Sequence, residues 1–171
     1  MLAIKYSILI TTKNRLEDLK ITLNQINSLL KRNDVECIIC DDGSTDGTSH
    51  FIEQEYQEIK LLKNTKSKGL IFSRNRLLNL TTAEYALEVI EDFFLKNSKC
   101  AVIACRIFWG KKLPIDLAHK QKHTRIKGYV GCGHVWRMAA WKTIPNYPDW
   151  FIFYGEEEFA SYQLFKKQWE I

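Results

Sequence analysis

Residues 35–48 read VECIICDDGSTDGT, an apolar run that stops on two adjacent aspartates and a glycine-punctuated turn. A near-continuous apolar run such as Val35–Cys40 suits a central parallel strand covered on both faces. Asp41 and Asp42, at its end, are not packing residues. Ser44 and Asp46, next to glycines, suit a turn and the cap of a following helix. Asp41 is different, because a carboxylate at a strand's C-terminus can accept hydrogen bonds from a base or a ribose.

Upstream, Ile4–Ile10 is a short β-rich run ended by the polar TTKNR. Leu16, Leu19, Leu23, Ile26 and Leu30 then recur at spacings of 3, 4, 3 and 4, one face of an amphipathic helix. Downstream, a short helix is expected with Phe51, Ile52 and Tyr56 inward, then a strand over Ile59–Leu62. A polar loop through Gly69 leads to a helix using Leu70, Leu77, Leu78 and Leu80. Strand and helix alternate three times, which predicts an α/β fold, a mostly parallel Rossmann-like sheet with helices on both faces. Ligands on such sheets sit at the carboxyl ends of the strands, where the polar segments after Ile10 and Cys40 lie.

Further on, Ala83–Tyr85 resembles the entry to a strand, but Ala86–Asn97 reads as a helix with Leu87, Ile90 and Phe94 on one face. Cys100–Trp109 is an apolar strand, residues 110–128 a basic connection, and Tyr129–Trp136 a glycine-punctuated strand or bend. From Glu156 the chain reads as helix, with Phe159, Tyr162, Phe165 and Trp169 expected inward.

Composition excludes several classes. The chain has 171 residues, 46% apolar and 26% charged, an ordinary globular balance that rules out disorder and collagen. No apolar run spans a bilayer, and the N-terminus does not read as a signal peptide. Five scattered cysteines fit free thiols in a reducing compartment. Net charge is +5, and residues 60–76 carry Lys60, Lys63, Lys66, Lys68, Arg74 and Arg76 with no acid. Residues 111–127 carry six more bases against one aspartate. Such stretches suit an anionic partner or a solvated surface. Without aromatic residues interleaved along them, they do not suggest nucleic acid.

A strand ending in TTKNR, an amphipathic helix and IICDDGSTDGT together resemble the nucleotide-sugar half of glycosyltransferase family 2. NTKSKGLIFSRNRLL resembles that family's next signature, an Asn, a Gly and an Arg-Asn pair opening a helix. FIFYGEEEFASYQLFKKQWEI resembles its acidic motif before an acceptor-side helix. The resemblance implies a GT-A fold over 1–171 as a single domain, with a nucleotide half over about 1–97 and an acceptor half over about 98–171. It implies an inverting transfer of a sugar from a nucleoside-diphosphate donor to an acceptor hydroxyl, on a glycan or a lipid-linked acceptor, in cell-surface glycan synthesis. The alternative is a non-catalytic nucleotide- or glycan-binding module of the same fold. The expected location is the cytoplasm, with peripheral membrane contact at its inner face.

The resemblance also assigns residues. Thr11 and Thr12 are expected beside the base. Asp41 is expected on base or ribose, with Asp42 a second candidate. Arg74 and Lys68 are expected on the diphosphate, unless Arg74 pairs with a neighbouring acid. Glu157 is the expected base, and Glu156 is expected to orient an acceptor hydroxyl or a metal ligand. A helix start enriched in acids is the competing reading. Trp150, Phe151, Tyr154 and Gly133 are expected near the acceptor, although Gly131 and Gly133 equally suit a bend.

One departure stands out. The family carries a strand ending in Asp-x-Asp, or a variant, that binds Mn²⁺ or Mg²⁺ through the diphosphate, and oxygen ligands suit those cations. Here TTAEY runs directly into ALEVIEDFF, so that strand and its carboxylates are missing near 85/86. Either the chain has lost the strand or residues are omitted at that point. The second reading is favoured, because a central strand is hard to delete from a sheet. Glu91 and Asp92 lie in the helix and do not replace it. A metal is therefore expected from the family with no ligand to name. Zinc is not expected at Cys37 and Cys40, which point to opposite faces of a strand, nor at His119 and His123.

Overall fold

The computed structural model describes residues 4–83, 96–104, 125–129, 134–151 and 155–171. The expected helix over Ala86–Asn97 falls almost wholly outside them, as do the junction at 85/86, His119, His123, Gly131, Gly133 and Tyr154.

The first half follows the expected alternation. Strand β1 (Tyr6–Thr12) leads through helices α1 (Leu16–Gln25) and α2 (Asn27–Leu30) to β2 (Val35–Asp41). Helix α3 (Thr48–Glu55), strand β3 (Lys60–Lys63) and helix α4 (Leu70–Leu80) follow. The strands pair in the order β1-β2-β3, both pairs parallel, with β2 central. The apolar run that begins at Val35 occupies that centre because both its faces are covered. Cys37 and Ile39 pack with Leu19, Leu23, Ile52 and Ile59 on one side. Ile38 and Cys40 pack with Leu77 on the other. Each such side chain contributes about 1.5–3 kcal/mol when fully buried. Separate clusters also place the Cys37 and Cys40 side chains on opposite faces, as strand geometry requires. The cysteines at 37, 40 and 100 are free thiols.

Glu36 is the one charged residue of β2's apolar run, and it is 7% exposed. Its carboxylate accepts hydrogen bonds from the hydroxyls of Ser7 and Thr81, the Thr82 N–H and Lys60 Nζ. Burial pushes its pKa up, but these donors outweigh it and hold the group at about 2. Glu36 thus ties β1, β3 and the end of α4 to the start of β2.

In the second half, β4 (Val102–Ala104) and β5 (His134–Trp136) pair antiparallel. Helix α5 (Met138–Trp141) and helix α6 (Glu156–Lys166) follow. The largest core cluster joins Ile71 and Leu78 of α4 to Val102, Trp136, Trp141 and Leu164. From Glu156 onward, Phe159 and Trp169 pack against the core as expected, but Tyr162 and Phe165 do not. Glu156, Ala160, Ser161 and Leu164 are the buried residues of α6, while Tyr162 is 60% and Phe165 76% exposed. The cause is Glu156. Its carboxylate is drawn beneath Arg74, and the rows one turn apart then place residues 160 and 164 inward. Among the described residues no helix is long and apolar enough to cross a membrane.

Candidate active site

The DDGSTDGT loop is held by its own polar groups. Asp46 accepts hydrogen bonds from the Thr48 N–H (3.1 Å) and hydroxyl (2.6 Å) at the start of α3, and from Leu16 N–H (3.0 Å) at the start of α1. Asn14 N–H donates to Ser44 Oγ, and Thr45 N–H donates to Asn14 Oδ1. Ser44 and Asp46 are therefore turn and cap residues, the structural role expected of them.

Asp41 is 2% exposed. Its carboxylate accepts the Ser44 N–H at 2.9 Å and the Ser49 hydroxyl. Asp42 is 5% exposed and more fully committed. It accepts Asn64 Nδ2, Ser67 Oγ and Lys68 N–H, each at 2.7 Å, and Gly69 N–H at 3.0 Å. Burial raises its pKa, and the four donors outweigh that and hold it at about 2. Asp42 thereby pins the 64–69 loop that opens α4. Gly43 lets this loop close in. Its φ is +74°, and a Cβ there would lie 2.9 Å from Ser67 N. A side chain would both strain the backbone and strike the loop.

Helix α4 carries the next expected residues. Arg74 Nη1 lies 2.6 Å from Glu156 Oε1 and 3.5 Å from Glu157 Oε1. The pairing with a neighbouring acid thus occurs, and the acids are the two expected to serve the acceptor. Glu156 is 3% exposed, and its Oε2 is buried with no hydrogen-bond partner among the described residues. The Glu157 pKa is raised, first by burial and then by the Glu156 charge, against the pull of Arg74. Asn75, the next residue on α4, meets a different partner. Its amide donates to Tyr147 O (2.9 Å) and accepts from Tyr147 N–H (3.1 Å), clamping that backbone to α4. The Tyr147 hydroxyl lies 3.1 Å from that of Tyr129. Burial pushes the Tyr147 phenol up to about 12 and raises that of Tyr129 as well. Sequence reasoning did not assign Asn75, Tyr129 or Tyr147. The Arg-Asn pair was the available signal for Asn75.

A cleft of about 410 Å³ lies beside α4, lined among others by Thr11, Arg74, Trp136 and Tyr147. That volume suits a small-molecule site. Thr12 is buried behind Thr11. Lys68 is exposed, its Nζ 5.3 Å from the Phe72 ring centroid. Trp150 is 76% exposed and stands on Phe151, at 4.4 Å between ring centroids, near the start of α6. Half of the basic stretch pairs with acids: Lys60, Lys63 and Arg74 with Glu36, Glu53 and Glu156.

A family model, glycosyl transferase family 2, matches residues 7–104. The chain belongs to glycosyl transferase family 2. Solved structures agree on the GT-A fold. S. aureus TarS 1–349 matches with TM-score 0.67 and 21% identity, over 94% of this chain and 55% of that one. The same protein in complex with UDP matches at 0.66 and 22%, over 92% and 54%. The mannosyltransferase PcManGT from Pyrobaculum calidifontis, in complex with GDP-Man and Mn²⁺, matches at 0.68 and 15%, over 99% and 54%. This family 2 chain thus spans about half the length of those structures. No curated protein matches the sequence.

The Mn²⁺ of that mannosyltransferase raises the question of a metal here. Among the described residues, no three His, Cys, Asp or Glu side chains gather to hold one. Asp41 and Asp42 present oxygens already engaged by N–H and O–H donors, which a cation would have to displace. The described residues of this family 2 chain do not fit a divalent cation.

Proposed function

We propose that this chain performs an inverting glycosyl transfer from a nucleoside-diphosphate sugar to an acceptor hydroxyl. The observation that carries this reading is the contact of Arg74 with both Glu156 and Glu157 at the cleft. One cation there serves the leaving diphosphate, and one carboxylate beside it serves the attacking hydroxyl.

The nucleotide lies at the Thr11 end of the cleft, at the carboxyl edge of the sheet. Asp41, engaged by Ser44 and Ser49, shapes this end through the loop it holds, and Asp42 does so through the 64–69 loop. Arg74 and Lys68 take the diphosphate, where a guanidinium contact with phosphate is strong. Glu157 accepts the acceptor's proton as the oxygen attacks C1 of the sugar. The C1–oxygen bond to the diphosphate breaks, and its electron pair leaves with the nucleotide. A single displacement inverts C1. A carboxylate with a raised pKa is better matched to this task than an ordinary one. Glu156 is buried beneath Arg74, so its role here is to hold that guanidinium rather than to touch acceptor or metal. Trp150, with its exposed ring, offers a face to a sugar acceptor.

UDP- and GDP-linked sugars are the first donors to try, since the matching structures carry UDP, UDP-GlcNAc and GDP-Man. A glycan or lipid-linked acceptor in cell-surface glycan synthesis fits the family. The test is calorimetry with UDP, GDP and their nucleosides, with and without Mn²⁺. Arg74→Gln is expected to lose diphosphate affinity by about 1.5–3 kcal/mol while nucleoside affinity holds. Equal losses for diphosphate and nucleoside overturn the role of Arg74. Binding without transfer to any acceptor leaves the non-catalytic module as the reading.

A further inference from the structure

The two sides of the site carry opposite charge. Beyond the carboxyl ends of β1 and β3, Lys13, Arg15, Lys66 and Lys68 are exposed. Residues 60–76 hold six bases and no acid. Residues 143–165 reverse this: they hold Asp149, Glu156, Glu157 and Glu158 and no Lys, Arg or His. In a chain of net charge +5 such a stretch is a local exception, and it is also where aromatic residues concentrate.

Trp150 stands in the middle of that stretch. Trp136 and Trp141 are 6% and 3% exposed, whereas Trp150 is 76% exposed. Its ring is nevertheless anchored. It meets Phe151 edge-on at 4.4 Å, and Phe151 meets Phe159 of α6 at 6.1 Å. The Phe151 ring also lies 3.7 Å from where a Cβ of Gly155 would stand, at the cap of α6. A large ring held in place and left in water offers an apolar face at little ordering cost.

Contacts along the chain put this ring beside the chemistry. Asp149, one residue before Trp150, lies 3.4 Å from Asn75 Nδ2, next to Arg74 on α4. Glu157, two residues after Gly155, lies 3.5 Å from Arg74. Asp149 and Glu158 are exposed, and they adjoin Trp150 and Phe159, the two ends of the ring ladder. Arg74, the base in reach, is drawn onto Glu156 and Glu157.

We propose that the acceptor is a saccharide without acidic groups, a pyranose lying on Trp150 while Asp149 and Glu158 repel phosphate, sulfate or carboxylate. This rests on the transfer reading above and narrows its acceptor. A pyranose with its axial C–H bonds on one side has an apolar, slightly positive face, which suits the negative face of an indole. An amino sugar gains further attraction. An acidic sugar is opposed, because like charges brought together reject a wrong partner. The donor's diphosphate is drawn to the basic side for the same reason. The charge split thus keeps donor and acceptor from exchanging places.

Fluorine NMR of protein carrying 5-fluorotryptophan tests this without any transfer. The chain has five tryptophans, and the signal lost in Trp150→Phe is that of Trp150. The probes are cellotetraose, N-acetylchitotetraose and galactotetraose, each beside its own phosphorylated form. At least one neutral probe is expected to shift the Trp150 signal saturably and leave Trp136 and Trp141 in place. Its phosphorylated form is expected to bind at least about tenfold more weakly at low salt, and that gap is expected to close at about 1 M salt. Glu158→Lys is expected to narrow the gap, and Asp149→Asn to narrow it less, with neutral binding retained and the other signals reporting an intact fold. Equal binding of neutral and phosphorylated forms overturns the proposal. So does a gap that persists unchanged at high salt, or no saturable shift of Trp150 with any of the three neutral probes. Neutral binding with these charge effects but no transfer in any assay overturns the transfer reading and leaves the saccharide preference standing. Transfer to neutral and phosphorylated acceptors at equal rate overturns the preference alone.

Discussion

The chain carries two pairs of adjacent carboxylates near its cleft, and the structure treats them oppositely. Asp41 and Asp42, at the end of β2, are 2% and 5% exposed and accept six hydrogen bonds between them from six neighbouring donors. Glu156 and Glu157, at the start of α6, share one guanidinium, and Glu156 keeps a buried oxygen without a partner among the described residues. The aspartates spend their oxygens on fixing loops, and the donors around Asp42 hold that group ionised. Under-satisfied carboxylates are costly in the folded state, and that cost is characteristic of sites where a ligand or a proton is to be handled. Residue type does not separate the pairs; the supply of donors does.

The largest test of this contrast is Glu157→Gln. The variant keeps shape but loses the basic lone pair, so transfer is expected to fall by about 10²–10⁴ with donor affinity nearly unchanged. A steady-state assay beside nucleotide calorimetry reads both quantities. Full activity would show that the α6 acids are only a helix start. Next in size is Glu156→Ala, which leaves Arg74, its side chain 22% exposed, without its buried partner. Loss of about 3 kcal/mol in urea unfolding is expected. A neutral result would show that the buried pair contributes nothing net to stability.

The aspartate side of the comparison is read by pH. Asp42 has a folded pKa of about 2 against an ordinary value of 3.8. A lowered pKa stabilises the fold above the unfolded value, and that contribution is lost as pH falls through the folded one. About 2 kcal/mol is therefore expected to disappear between roughly pH 4 and pH 2, and Asp42→Asn is expected to flatten that part of the curve. An unchanged acid limb would mean that the 64–69 loop does not depend on this carboxylate. The smallest expected effect is that of Trp150→Ala. With the ring 76% exposed, stability is expected to change by no more than about 0.5 kcal/mol. A raised acceptor KM at unchanged melting temperature would sharpen its place as a sugar platform.

Much of this architecture was legible beforehand. The apolar run from Val35, the leucine spacing of residues 16–30 and the strand–helix alternation identified a parallel α/β sheet, because period and burial are written locally. The order of three motifs identified the family. The face of α6 was legible at Phe159 but not at Tyr162 and Phe165, which hydrophobicity alone would turn inward and which are exposed. Ion pairing of Glu156 with a residue 82 positions away decided the rotation instead. Glu36 was likewise unreadable as a buried hub, because its partners Ser7, Lys60 and Thr81 come from three other elements.

What the sequence determined by itself was the layout: which segments form strands, that the run from Val35 suits a central strand, and that the polar segments after Ile10 and Cys40 lie at the carboxyl edge of the sheet. These follow from local periodicity and from the covering of both faces of a parallel strand. Only the tertiary structure decided which of four carboxylates were spent on holding loops and which were left beside a cation. Hydrogen-bond saturation depends on donors brought in from distant parts of the chain. Asn64, Ser67, Lys68 and Gly69 close on Asp42, and Arg74 closes on Glu156, only once the sheet and α4 have packed together.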